Sequence, residues 1–276
     1  VTVPRIGVID SGVGGLTVLV RLIEAMPGQP FLYVADQAWC PYGSRSVTEL
    51  RMRLTELVGQ MVAQGCVLVV VACNTATAAA IETLRATFPI PFVGMEPAVK
   101  PAALYSQTHH IGVLATAGTL QGRLFRQTTA ACAKYAQVHI AVGMGLVELV
   151  EAGKADSLES RVRLRELLAP LLAAGIDHLV LGCTHYPLLM PALVEVLPQT
   201  VTIVDPASAV ARQTVRLARG LTLGDGGGDY PPLAFFSTRN TADLEAFAHH
   251  VFAFYGLLMP EGEGGIYGEL AGYVAP

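Results

Sequence analysis

The feature that most narrows the folds open to this chain is that it repeats itself. IGVIDSG at 6–12 is echoed by IGVLATAG at 111–118, a shift of 105 residues from Ile6 to Ile111. VVACNT at 70–75 is echoed by VLGCTH at 180–185, a shift of 110 from Cys73 to Cys183. GMEPA at 94–98 parallels IVDPA at 203–207, setting Glu96 against Asp205 at a shift of 109. Any one pair could reflect the strand–turn–helix grammar common to all α/β sheets. Three pairs in the same order at nearly constant spacing point to two related halves.

The repeated pieces are apolar runs of strand length: RIGVID, FLYVAD, CVLVVVA, PFVGM, HIGVLAT, VHIAVG, HLVLG and VTIVD. Between them, segments such as 47–64 and 158–174 carry helical periodicity, with Arg and Glu on the polar face. Near-continuous Val/Ile/Leu strands separated by helices predict parallel sheets covered on both sides. The expected fold is therefore α/β: two related doubly wound halves in a pseudo-twofold arrangement, with the active site in the cleft between them. One domain is expected over 1–96 together with 208–276, the other over 97–207. The tail opens with a helical pattern, passes through GDGGGDYPP, and continues with LAFFSTRN and a further helix, which should pack back on the first half. The Gly-rich end, 261–276, is expected to be poorly ordered.

Composition removes several classes of function. Of the 276 residues 52% are hydrophobic and only 14% charged, yet the longest apolar run, VLVVVAC, is strand-sized and far short of the roughly 18 residues of a membrane span. The opening VTVPRIGVID has no basic stretch followed by a long apolar segment, so no secretory signal is expected. A net charge of −4 without any Lys/Arg block leaves no electrostatic footprint for nucleic acid. Five cysteines, an odd number without C-x-x-C spacing, fit free thiols in a reducing cytoplasm better than a disulfide framework.

In a parallel sheet, ligands collect at the carboxyl ends of strands, where the chain turns into the next helix. Cys73 and Cys183 both fall at that place, each after the third strand of its half. A cysteine at a helix N-terminus gains thiolate character from the helix dipole, and a nearby base adds to it. Asn74-Thr75 and Thr184-His185 bring short polar side chains and free backbone N–H groups, a cradle for a carboxylate. Two acid/base groups on opposite faces of one carbon suit a reaction that removes a proton from one side and returns one to the other, with no cofactor or metal required. Asp10 ends the strand beside that of Cys73 and could orient its thiol or accept its proton. His185 offers the equivalent service to Cys183. Ser11, its repeat partner Thr116, and Thr119 can hydrogen-bond a polar ligand, or equally cap helices. A free cysteine is commonly a small buried hydrophobe, which is the reading for Cys66 and Cys132. Cys40, in AWCPYG, is read as a non-catalytic loop residue.

Other chemistries fit less well. DSGVGG at 10–15 invites a dinucleotide site with Asp36 as its ribose carboxylate, but the third glycine of G-x-G-x-x-G would fall on Thr17, and Asp10 would repel a pyrophosphate. Cys183-Thr-His185 lacks a third zinc ligand at a recognised spacing. A Cys–His hydrolase would explain one thiol and leave its repeat unexplained. A binding protein for an amino acid would need neither thiol.

Taken together, GVIDSGVGGLTV, PYGSRS, ACNTATAA, GVLATAGT and GCTHYPLL resemble, in order, the motifs of the glutamate racemases, of the cofactor-independent aspartate/glutamate racemase superfamily. They span about 180 residues, and the CNTA and GCTHYPLL pair is highly specific. The resemblance implies interconversion of L- and D-glutamate, supplying D-glutamate for peptidoglycan in the bacterial cytoplasm. It makes Cys73 and Cys183 the proton carriers, assisted by Asp10 and His185 respectively. Ser11, Tyr42-Gly43, Asn74-Thr75 and Thr184 would hold the amino acid, several through backbone groups, and Glu151 in LVELVEAG would be the acidic residue supporting the second half. Frequent dimers in the family make a homodimer one expected assembly. Two departures stand out: Glu148 where the family usually has Pro, and Trp39-Cys40 before PYG. An aspartate racemase, or a related thiol isomerase or decarboxylase, is the nearest alternative.

Overall fold

The computed structural model describes residues 3–224 and 233–260. The chain runs β1 (Arg5–Asp10), α1 (Leu16–Ala25), β2 (Phe31–Ala35), α2 (Val47–Ala63), β3 (Cys66–Val71), α3 (Asn74–Thr87) and β4 (Phe92–Gly94). It continues with α4 (Val99–Tyr105), β5 (His110–Ala115), α5 (Ala117–Gln121), α6 (Arg123–Cys132), β6 (Gln137–Val142), α7 (Leu146–Glu151), α8 (Leu158–Ala173), β7 (His178–Gly182), α9 (Met190–Val196) and β8 (Thr202–Val204). The tail adds α10 (Ala207–Ala218), β9 (Leu233–Ser237) and α11 (Thr241–Phe254). Two compact units result, Val1–Met95 with Ala207–Pro276, and Glu96–Pro206. Most of GDGGGDYPP and the end, 261–276, lie outside the described residues.

Each unit is built on a parallel sheet. The first has strand order β4-β3-β1-β2-β9 and the second β6-β5-β7-β8. Matching β1 to β5, β2 to β6, β3 to β7 and β4 to β8 makes the two orders correspond strand for strand. The first unit differs by one addition: β9 pairs in parallel with β2, whereas β6 remains an edge strand with Ile140 and Val142 exposed. The tail thus completes the first sheet, and it also anchors the turn that leaves β2. Thr238 N–H donates to the Ala35 carbonyl, and Ala38 N–H donates to Thr238 Oγ1.

The strands of the first sheet are apolar between their ends because both faces are covered. Ile9, Leu32, Val34, Val69 and Val71 pack with Leu50, Leu54, Leu57 and Val58 of α2 and with Ala80, Ile81 and Leu84 of α3. Their neighbours Val8, Tyr33 and Val70, which alternate to the other face, are equally buried. Helix α2 begins at a reciprocal cap: Ser46 Oγ accepts the Glu49 N–H, and Glu49 Oε2 accepts the Ser46 N–H at 3.0 Å. Its Arg and Glu residues do not all lie on a solvated face as the periodicity suggests. Arg53 is buried, because Asp36, just past β2, draws its guanidinium inward. No helix among the described residues is long and apolar enough to cross a membrane.

Gly15, at the turn after β1, serves packing. A Cβ on Gly15 would stand 2.6 Å from the Asp10 Cβ and 2.9 Å from the Tyr33 hydroxyl, so only glycine lets α1 start against the end of β1. Tyr33 Oη donates to the Gly12 carbonyl at 2.8 Å and holds the same turn from beneath. Gly59, within α2, meets nothing closer than the Phe88 ring at 3.8 Å. Urea denaturation should therefore find Gly15→Ala destabilised by about 1–3 kcal/mol. Gly59→Ala should be stabilised by roughly 0.5–1 kcal/mol, since alanine is the better helix former and clashes with nothing.

Candidate active site

In the first unit, parallel pairing of β1 with β3 brings two chemically active residues out side by side. Ala72 N–H donates to the Ile9 carbonyl at 2.8 Å, which sets Asp10 and Cys73 at neighbouring strand ends. Asp10 is fully buried, with Oδ1 accepting the Gly12 N–H at 2.8 Å. Cys73 is the N-cap of α3: its sulfur accepts the Ala76 N–H at 3.4 Å and lies 3.9 Å from Ser11 Oγ. That position sets the sulfur at the positive end of a 14-residue helix, where negative charge is favoured. Asn74 and Thr75 fill the first turn and are buried. Asn74 Nδ2 donates to the Met95 carbonyl at 3.4 Å, while Oδ1 is buried and makes no hydrogen bond among the described residues. A buried acceptor of this kind calls for a donor. Thr77, by contrast, ties the ends of β3 and β4 together, donating to the Val71 carbonyl and accepting from Met95 N–H.

Tyr42 and Gly43 sit in a 3-10 turn, Tyr42–Ser44. The Tyr42 side chain is directed into the core, and its hydroxyl donates to Asp36 Oδ2 at 2.7 Å. Only the backbone of this pair is therefore left to meet a ligand. Burial and the Asp36 carboxylate push the Tyr42 phenol well above its ordinary value, so it remains a neutral donor. Trp39 packs against the same core, with the Arg45 and Arg53 guanidinium carbons 4.5 and 5.2 Å from its ring centroid.

In the second unit the thiol has a different set of neighbours. Cys183 follows β7, and its sulfur lies 3.7 Å from His185 Nδ1. His185 Nε2 is 2.6 Å from Glu151 Oε1, at the end of α7. An ionised carboxylate only accepts, so it selects the tautomer with hydrogen on Nε2 and leaves the Nδ1 lone pair facing the thiol. Cys183, Thr184 and His185 are all buried. Tyr186 opens the next 3-10 turn and donates to the Gly143 carbonyl at 3.3 Å. Burial, with Cys183 and Glu148 nearby, pushes its phenol up as well. Glu148 thus has an electrostatic place beside this half-site. Thr116 is the N-cap of α5: Oγ1 accepts the Thr119 N–H and lies 2.8 Å from Thr119 Oγ1. Thr116 thus caps α5 with its side chain, as Cys73 caps α3, and Thr119 lies in the first turn beside it.

The remaining cysteines divide by burial. Cys66 is buried at the start of β3, and burial pushes its thiol up to about 12, which makes it inert. Cys132 is buried at the end of α6, and Cys40 is half-buried in its loop. The residues that sequence reasoning passed over are Asp36 and Arg53, the first taken only as a failed ribose ligand and the second as a solvated helix residue. The signal available was a lone Asp ending a strand run, with nothing in the local pattern to name its partner.

Comparison with known proteins gives these arrangements a context. Residues 6–214 match the Asp/Glu/hydantoin racemase family. Glutamate racemase of Cupriavidus pinatubonensis is 42% identical over 88% of this chain and 89% of its own, and that of Deinococcus radiodurans is 46% identical over 87% and 84%. Among solved structures, Escherichia coli glutamate racemase in complex with L-glutamate and the activator UDP-MurNAc-Ala superposes with a TM-score of 0.81 at 32% identity, covering 94% of this chain and 99% of that one. Glutamate racemase RacE1 of Bacillus anthracis gives 0.78 at 32%, covering 93% and 95%. The two parallel α/β units, with a thiol at the same place in each, thus carry the sequence of a known lineage. The chain belongs to the Asp/Glu/hydantoin racemase family, and within it to the glutamate racemases.

Proposed function

We propose that this protein interconverts L- and D-glutamate by a two-thiol proton exchange at Cα, with no cofactor, supplying D-glutamate for peptidoglycan in the cytoplasm. The observation that carries the reading is the recurrence of one device in both units: a buried cysteine at the end of the third strand, with polar groups beside its sulfur, Ser11 and the Ala76 N–H for Cys73 and His185 for Cys183. A thiolate on one side of the substrate takes the α-proton, and the electron pair remains on carbon as a carbanion. A thiol on the other side donates its proton to the opposite face and becomes the thiolate. Charge and protons balance over the cycle, and the roles reverse for the other enantiomer. Both thiols must address one α-carbon, which is a demand of the chemistry.

The assisting groups differ in kind. Asp10 is the base assigned to Cys73, while the α3 N-terminus favours its thiolate. His185, oriented by Glu151, is assigned to Cys183, as in other nucleophile–imidazole–carboxylate chains. Asn74 Oδ1 is a ready acceptor for a substrate ammonium, and the backbone N–H groups near Ser11, Gly43, Thr75 and Thr184 suit carboxylates. A racemase for aspartate is the reading that would replace this one, since the proton chemistry is shared and only the side-chain pocket differs.

Glutamate of either hand, incubated with the protein in deuterated water without additives, should lose its circular dichroism while Cα–H exchanges for deuterium. Silence on glutamate with turnover of aspartate overturns the substrate. Cys73→Ala and Cys183→Ala should each lower racemisation by at least about a hundredfold, the scale of a lost acid/base group; a variant turning over at the parent rate shows its thiol to be packing. The pH–rate curve should be bell-shaped, because one thiol must be ionised and the other not; a flat profile between about pH 6 and 10 contradicts this. Glu151→Gln, which removes the carboxylate charge behind the His185 ring, should lower kcat by about tenfold or more with little change in KM.

A further inference from the structure

Between β2 and α2 of the first unit lies a charged cluster that the reaction above does not use. Asp36 has no exposed side-chain surface, and Arg53 keeps only 6% of its own. Arg53 donates from Nε to Asp36 Oδ2 at 2.9 Å and from a terminal nitrogen to Oδ1 at 2.7 Å, a two-pronged pairing. Asp36 Oδ2 also accepts the Tyr42 hydroxyl at 2.7 Å, and the Asp36 N–H donates to the carbonyl of Asp10 at 2.9 Å. Tyr42 shares one buried cluster with Cys73, and charge on the Cys73 sulfur acts on the Tyr42 hydroxyl. The chain Arg53–Asp36–Tyr42 therefore reaches the core cluster that holds the thiol, and the Asp36 backbone is tied to the backbone carbonyl of Asp10 at the end of the adjacent strand.

We propose that Arg53 is a positioning residue for Cys73: by clamping the Asp36 carboxylate it fixes the Tyr42 hydroxyl and cancels a buried negative charge that would otherwise oppose the Cys73 thiolate. The inference rests on Cys73 being a proton carrier. A buried carboxylate left without its cation is costly and repels a second anion nearby, whereas removing both charges together relieves the field. Ser11 Oγ lies 3.9 Å from the sulfur, and Asp10 ends the adjacent strand. Arg45 stacks on the Trp39 ring at 4.5 Å, on the side of the cluster near Arg53. From α2, Arg51 is committed to the Ala79 carbonyl of α3, and Glu56, 3.6 Å from Arg53, is half exposed and screened by water.

The test reads the thiol directly and needs no turnover. The rate of Cys73 alkylation by iodoacetamide, located by peptide mass spectrometry, is followed against pH in the full chain. Arg53→Gln should raise the midpoint by about one pH unit, slowing alkylation at neutral pH about tenfold. Asp36→Asn should lower it, because the cation is then unopposed. The double variant should return close to the parent, and Arg53→Lys, which keeps the charge without the fork, should stay within a few tenths of a unit. Loss of packing alone cannot produce opposite signs in the two single variants with restoration in the double. Should Arg53→Gln unfold, Asp36→Asn and the double variant, with no charge buried alone in the latter, still decide. Equal midpoints in all folded variants, shifts of the same sign, or no alkylation of Cys73 at any pH overturn the proposal. A parent protein that shows these shifts but never racemises glutamate would instead sink the functional reading and leave the electrostatic role intact.

Discussion

Parallel hydrogen bonding between β1 and β3 is the interaction on which the first half-site depends. It aligns the carboxyl ends of two strands to within a residue, so that Asp10 and Cys73 leave the sheet together. Antiparallel pairing would send one of them to the far edge. Because the connection between parallel strands must be a long crossover, a helix follows each strand, and its N-terminus arrives at the same edge. Strand end and helix start therefore coincide, and the cysteine at the junction acquires a fixed neighbourhood of N–H groups from α3 without any dedicated binding loop.

The second unit uses the same strand order with a different set of partners. Where the first has Asp10 and Ser11 from an adjacent strand, the second has His185 from the cysteine's own turn and Glu151 from α7. The position equivalent to Asp10 is Ala115, and that equivalent to Ser11 is Thr116, which caps α5. The strand order is the same, while the polar groups beside the cysteine come from different elements. This is chemically sensible, since a thiol requires only some base at hydrogen-bonding range, whichever element supplies it.

Much of this was legible in the residues. The alternating apolar runs and helical segments marked the strands because sheets buried on both faces leave a near-continuous Val/Ile/Leu record. The two cysteines stood out because their neighbours repeat. Arg53 was not legible: helical periodicity sorts arginine to the wet side by hydropathy, and only a partner 17 residues earlier in the chain makes its burial tolerable. Thr116 and Thr119 show the converse. Their residue type suits a ligand or a cap equally, and only the start of α5 shows that Thr116 caps a helix, as Cys73 caps α3.

By itself the sequence determined the α/β class, the repeat, the positions of both thiols at strand ends, and the family, all of which are written in local patterns and short motifs. Tertiary structure alone decided that Glu151 reaches the His185 ring, that the Tyr42 hydroxyl turns away into the core, and that Asp36 is an anchor clasped by Arg53. Those outcomes depend on hydrogen-bond geometry between segments distant in the chain, and such geometry leaves no periodic trace in the order of residues.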